Sequence, residues 1–311
     1  MTPVAEWRAA TKRYRDVTAV EQVSLRLEAG EATALVGHNG AGKTTLIKML
    51  LGLIRPSEGS VVIGGADPAG AQGAPARRKI GFLPENVAFH GAMTGNELMA
   101  FYARLKGESR RRNAELLARV GIAHAADRRV ATYSKGMRQR LGIAQALIGE
   151  PRLLLFDEPT SGLDPDSRRE VYEMIDRLRE NGATVLISTH ALSEIEPRVD
   201  RIAIVHRGRL LAAGTLAALR SRLAADARMR VRARRCSTGK LLAMLPQAVR
   251  CEERSDSALT LTVPSHAKML ALRAIVEAGE LVDDIEISAP GLQELYTQLT
   301  GAAEENESCK R

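Results

Sequence analysis

The stretch "GHNGAGKTT" (37–45) follows the apolar run "ATALV" (32–36) and precedes "LIKML" (46–50). An apolar run that ends in a glycine-rich turn and passes into a helical pattern predicts strand, loop and helix in succession. The stretch also has the form G-x-x-x-x-G-K-[ST], whose chemistry is specific. Its glycines let successive backbone N–H groups curl around phosphate oxygens, and the N-terminal end of the next helix adds partial positive charge. Gly37, Asn39, Gly40 and Gly42 shape the loop, Lys43 is placed to reach β- and γ-phosphates, and Thr44 offers a hydroxyl to Mg²⁺. Thr45 falls on the α-phosphate side.

Working outward, "RLLLFDEP" (152–159) is a short apolar run closed by two acids, the pattern of a buried parallel strand. Asp157 at its end is placed to hold Mg²⁺ through water, and Glu158 to polarise an attacking water. "ATVLIS" (183–188) reads as a second buried strand, with a helix between the two. Residues 18–36 alternate as short strands, "GSVVIGG" (59–65) is another, and 66–78 reads as an Ala/Pro/Gly loop. From Asn96 to about Leu147 the pattern is helical, with Met137, Leu141, Ala144 and Ile148 on one face at helical spacing. Strand–helix alternation of this kind predicts an α/β fold around a parallel sheet.

The chain has 311 residues, 45% of them apolar and only 3% aromatic, so two domains with aliphatic cores are expected. The net charge of +8 admits an acidic partner (nucleotide, nucleic acid or anionic lipid) or a merely solvated surface. Cys236, Cys251 and Cys309 lie far apart, with neither disulfide nor zinc spacing. The N-terminus lacks the apolar core of a signal peptide, and no run approaches the about 18 apolar residues of a spanning helix. Any membrane role therefore calls for a partner.

After Leu219 the texture changes. "RMRVRARR" (228–235) predicts a strand with one arginine face, "ALTLTV" (258–263) and "DDIEI" (283–287) two more, with helical stretches after Pro264 and around Leu292, Leu295 and Leu299. We expect a first domain at 1–219, a small α+β domain at 220–301 and a flexible tail at 302–311.

"GHNGAGKTT", "YSKGMRQRLGIAQAL", "LLLFDEPTSGLDP" and the "STH" that ends at His190 occur in that order along the chain. In these pieces the sequence resembles the ATP-binding cassette (ABC) ATPases. The resemblance implies a P-loop NTPase domain with a RecA-like core, an antiparallel β subdomain and a helical subdomain, which binds ATP and Mg²⁺ and hydrolyses ATP. "YSKGM" (133–137) then corresponds to the signature loop, with Ser134 and Gly136 meeting the triphosphate held by a second copy. Lys135 and Met137 depart from the usual glycine and glutamine. Tyr14 would stack on adenine, His190 contact the γ-phosphate, and Asp164 in "SGLD" lie at the seam of a homodimer. "GFLPEN" (81–86) puts Glu85 where the family carries a glutamine, a possible Mg²⁺ neighbour that adds negative charge.

That form, with the closing segment "ISAPGLQELYTQLTG" (287–301), resembles exporter-type ATPases that serve a polytopic membrane subunit at the cytoplasmic face of the membrane. More narrowly, "LPENVAFHGAMTGNELMAFYARLKG" resembles the ATPase subunit for copper-site maturation of nitrous oxide reductase, which also implies a periplasmic accessory protein reached through the membrane subunit. On that reading the chain is an engine and not a metal carrier. The alternative is the ATPase of an exporter for lipids, antibiotics or other hydrophobic compounds. Nucleic acid is not expected as a partner: the arginine stretch has no interleaved aromatics.

Overall fold

The structure is a computed structural model that describes residues 3–222, 226–234 and 237–308. The chain divides into two compact units, Met1–Gly214 and Thr215–Arg311. The first has strands β1 (Ala5–Tyr14), β2 (Val17–Leu27), β3 (Ala32–Val36), β4 (Glu58–Ile63), β5 (Ile80–Leu83), β6 (Leu153–Asp157), β7 (Thr184–Thr189), β8 (Arg201–His206) and β9 (Arg209–Gly214). Its helices are α1 (Lys43–Leu50), α2 (Gly73–Arg78), α3 (Gly95–Lys106), α4 (Asn113–Arg119), α5 (Lys135–Ala146), α6 (Pro165–Glu180) and α7 (Leu192–Ile195).

β3 is the pivot. All five of its residues are buried, and it lies between β7 and β8 in a six-stranded sheet of order β5-β6-β7-β3-β8-β9. The first five strands are parallel and β9 returns antiparallel to β8. β3, β6 and β7 are buried in every residue, as expected of parallel strands covered on both faces. Because they run the same way, their carboxyl ends come together, and there the loops after β3, β5, β6 and β7 gather. This is the edge of an open α/β sheet where ligands bind.

A second, antiparallel sheet has the order β2-β1-β4. Trp7 of β1 is 1% exposed, and its indole N–H donates to the Leu46 carbonyl of α1 at 3.3 Å. The sequence pattern hides β1: its register shifts between Trp7 and Ala10, and Ala9 has φ +45°, so the two-residue alternation breaks. The 66–78 stretch contains the short helix α2. The helical region from Asn96 to about Leu147 holds three α-helices, α3, α4 and α5, with short 3-10 turns between them. Gly107, left-handed at φ +76°, ends α3, and Ser134 caps α5 anew with its hydroxyl accepting from Met137 N–H.

The second unit contains α8 (Leu216–Arg222), β10 (Ala227–Ala233), α9 (Thr238–Met244), β11 (Arg250–Arg254), β12 (Ala258–Val263), α10 (Lys268–Glu277), β13 (Val282–Ser288) and α11 (Leu292–Ser308). Its antiparallel sheet has the order β11-β12-β10-β13, the β-α-β-β-α-β arrangement of ferredoxin-like domains. Met229, Val231, Leu259, Leu261 and Ile275 share its core. Arg228, Arg230 and Arg232 alternate with the buried residues of β10 and are exposed, as the sequence pattern predicts. α11 continues to Ser308, into the stretch expected to be a flexible tail. Cys251 is an exposed free thiol; Cys236 and Cys309 lie outside the described residues.

Candidate functional site

The glycine-rich loop leaves β3 at Gly37, where the backbone runs so close to the Val205 carbonyl that a Cβ would collide with it. Gly42 has φ +105°, and a Cβ there would stand 2.7 Å from the Ala19 carbonyl. Only glycine meets both demands at Gly42. Gly42 also caps α1 without a side-chain bond, so no side-chain oxygen of the cap residue occupies the first-turn N–H groups. Such a cradle is an anion site.

Around it lies a cleft of about 320 Å³. Asn39, Gly40, Gly42, Lys43, Thr44, Thr45, Glu85, Asp157 and Glu158 all line it, brought together from three separate stretches of the sequence. Ala19, His38 and Ala41 line it as well, and the sequence pattern had not singled them out. Lys43, 6% exposed, folds back on its own loop: its ammonium donates to the Gly37 carbonyl at 2.6 Å and to that of His38 at 3.3 Å. It also lies 3.3 Å from Glu158 Oε1.

Asp157 ends β6 with both carboxylate oxygens engaged. Oδ2 accepts from the Thr44 hydroxyl at 3.2 Å, and Oδ1 accepts from the Ser188 hydroxyl of β7. A hydroxyl and a carboxylate brought together beside a phosphate cradle form an oxygen donor set that suits a hard divalent cation. Glu158 follows in the left-handed region at φ +47° and is 8% exposed. Its N–H donates to both the carbonyl and the hydroxyl of Ser188, each at 3.1 Å. Glu158 Oε2 lies 2.9 Å from His190 Nδ1, while the buried Oε1 has no hydrogen-bond partner among the described residues. A buried carboxylate with one oxygen beside His190 and the other at a cleft wall, near the Lys43 ammonium but without a hydrogen bond, is equipped to accept a proton from water.

The remaining residues singled out in the sequence stand apart from this lining. Tyr14, 44% exposed, closes β1 with the centre of its ring 5.2 Å from the Lys12 ammonium. Ser134 is exposed at the start of α5, and Gly136 packs so tightly on α6 that a Cβ would lie 2.6 Å from Ser167 Oγ. Asp164 caps α6 by accepting from Ser167 N–H at 2.9 Å, and that backbone bond holds its carboxyl below the usual range. His190, at the end of β7, has a side chain 58% exposed. Ser188 and Gln139 were missed. Gln139 is buried, with its amide donating to the Pro159 carbonyl at 2.7 Å.

Residues 20–161 match the family model described as "ABC transporter". The linearmycin resistance ATP-binding protein LnrL of Bacillus subtilis (strain 168) is 34% identical over 300 residues, covering 93% of this chain and 96% of its own. The daunorubicin resistance ATP-binding protein DrrA3 of Streptomyces coeruleorubidus is 35% identical, covering 94% of both chains. Among solved structures, an ATP-binding subunit of an ABC transporter superposes with a TM-score of 0.65 at 32% identity, covering 71% of this chain and 93% of that one. The chain belongs to the ABC transporter ATP-binding proteins: it is the ATP-hydrolysing subunit of an ABC transporter, close to the drug-resistance ATPases.

Proposed function

We propose that the chain powers export of antibiotics or related hydrophobic compounds through a polytopic membrane subunit, as one of two identical ATPase subunits at the cytoplasmic face of the membrane. The support is the length of the likeness: relatives named for linearmycin and daunorubicin resistance match over nearly the whole of both chains, the second unit included. They favour this alternative over copper-site maturation of nitrous oxide reductase, the narrower reading of the sequence. No helix among the described residues is long and apolar enough to cross a membrane; on this reading a separate membrane subunit carries the cargo. The second unit serves as a regulatory or dimerising module.

For hydrolysis, the observation that carries the reading is Glu158 set between Lys43 and His190 at the wall of the cleft. The loop 37–45 binds the phosphates of ATP through backbone N–H groups, and Tyr14 stacks on the adenine. Thr44 and Asp157, with Glu85 of the same cleft lining, would hold Mg²⁺, which would supply positive charge to the phosphate oxygens. Glu158 takes the proton of the attacking water, and His190 fixes the orientation of that carboxylate. Ser134 and Gly136 meet the triphosphate of the second copy, with Asp164 at the seam.

The test is a drug-sensitive strain carrying the chain with the membrane protein that copurifies with it. The expected result is raised tolerance to an anthracycline or a linear polyene, lost with Glu158→Gln. Unchanged tolerance, together with copper-deficient nitrous oxide reductase when the chain is deleted, would reverse the choice between the two readings.

A further inference from the structure

Glu158 holds a backbone conformation, φ +47°, that L side chains avoid. A residue keeps such a conformation only where its surroundings over-determine it. On its N-terminal side the restraint is Ser188, which accepts the Glu158 N–H twice. Its own carbonyl accepts from Ser161 N–H at 3.0 Å. The next residue is Pro159, which has no N–H, so its carbonyl is the one backbone hydrogen-bonding group by which it can be tied. Gln139 holds that carbonyl at 2.7 Å from twenty residues away in sequence. Gln139 is 4% exposed on a helix that also buries Leu141, Ile143 and Ala144. A primary amide there is unfavourable unless it is bonded.

Two further points join the start of α5 to the segment after Glu158. Gly136 lies against Ser167, and the ammonium of Lys135 lies over Gly162, whose left-handed φ of +63° leaves that side bare.

We infer that Gln139 is a positioning residue for ATP hydrolysis: by holding the Pro159 carbonyl it keeps the Glu158 carboxylate against His190 and the cleft. This rests on the reading of Glu158 as the base. Gln139 does not line the cleft, so it acts on the rate through Glu158 and leaves nucleotide binding alone.

The test compares full-length wild type, Gln139→Leu, Gln139→Glu, Glu158→Gln and the double variant Gln139→Leu/Glu158→Gln. Steady-state ATP hydrolysis is measured across pH, and binding of a fluorescent ATP analogue at equilibrium. Leucine removes the donor. Glutamate keeps the length, donates when protonated and only accepts when ionised. In Gln139→Leu, kcat is expected to fall about tenfold with analogue affinity unchanged within about twofold. In Gln139→Glu, kcat relative to wild type recovers as the pH is lowered. In the double variant, the leucine adds no loss to Glu158→Gln. A wild-type kcat in Gln139→Leu, a loss carried wholly by weaker binding, or a Gln139→Glu profile parallel to wild type overturns the inference. If the leucine variant does not fold, the pH profile of Gln139→Glu decides. Wild-type turnover by Glu158→Gln, where Gln139 is intact, overturns the assignment of the base instead.

Discussion

The Nδ1 of His190 lies 2.9 Å from Oε2 of Glu158, although the two residues come from different strands and stand 32 positions apart. The contact exists because β6 and β7 are parallel neighbours in register, Asp157 opposite Ser188, so the residues just beyond each strand emerge side by side. The other glutamate oxygen lies 3.3 Å from the Lys43 ammonium at the wall of the cleft.

His190→Ala removes that orienting contact without touching the phosphate cradle. The expected kcat falls by about 10² to 10³ while ATP affinity changes little. A matched loss of affinity and rate would place His190 in nucleotide binding instead.

Ser188→Ala should act on both acids at once. Asp157 loses one of its hydrogen-bond donors and the Glu158 N–H keeps only the Ser188 carbonyl. Leaving a buried carboxylate oxygen short of its donor costs about 1–3 kcal/mol, to be read from denaturant unfolding, with kcat reduced more than KM changes. Wild-type stability and rate together would show that the hydroxyl is dispensable.

Trp7 ties the antiparallel sheet to α1 through its bond to the Leu46 carbonyl. Trp7→Phe loses that bond and part of a fully buried ring, so about 1–3 kcal/mol of stability should disappear. Circular dichroism against denaturant measures it. An unchanged midpoint would mean that the sheet does not depend on this anchor.

Asp164 gives a pH dependence with a definite sign. Its folded carboxyl titrates below the ordinary aspartate range, chiefly because Ser167 N–H bonds the charged form. The stabilisation is therefore complete above the unfolded value and is lost as pH falls through the lower folded value. The gap in melting temperature between wild type and Asp164→Ala should be full at neutral pH and close in strong acid. A gap independent of pH would mean that the cap does not depend on charge.

What could be read from the sequence follows from where the information lies. Lys43, Thr44, Asp157 and Glu158 sit in short continuous stretches whose pattern states both the strand end and the chemistry, and Glu85 follows another strand end. Ser188 and Gln139 support them from 31 and 20 residues away through contacts that only the fold creates. β1 was hidden by its bulge at Ala9, whereas the break between α3 and α4 does carry a signal, Gly107 followed by the polar run "ESRRRN" (108–113). Cargo is different again. The stretches that resemble a copper-maturation ATPase and the full-length likeness to drug-resistance ATPases both describe the engine, and only the breadth of the second favours the exporter reading.

The most direct test of the account is single-turnover and steady-state ATP hydrolysis by Glu158→Gln, with ATP affinity measured on the same protein. The account predicts affinity close to wild type and a rate lower by about 10² to 10⁴, the contribution of a positioned general base. Hydrolysis at the wild-type rate would contradict it, because the buried Glu158 Oε1 at the cleft wall, which has no hydrogen-bond partner among the described residues, would then have no part in the reaction.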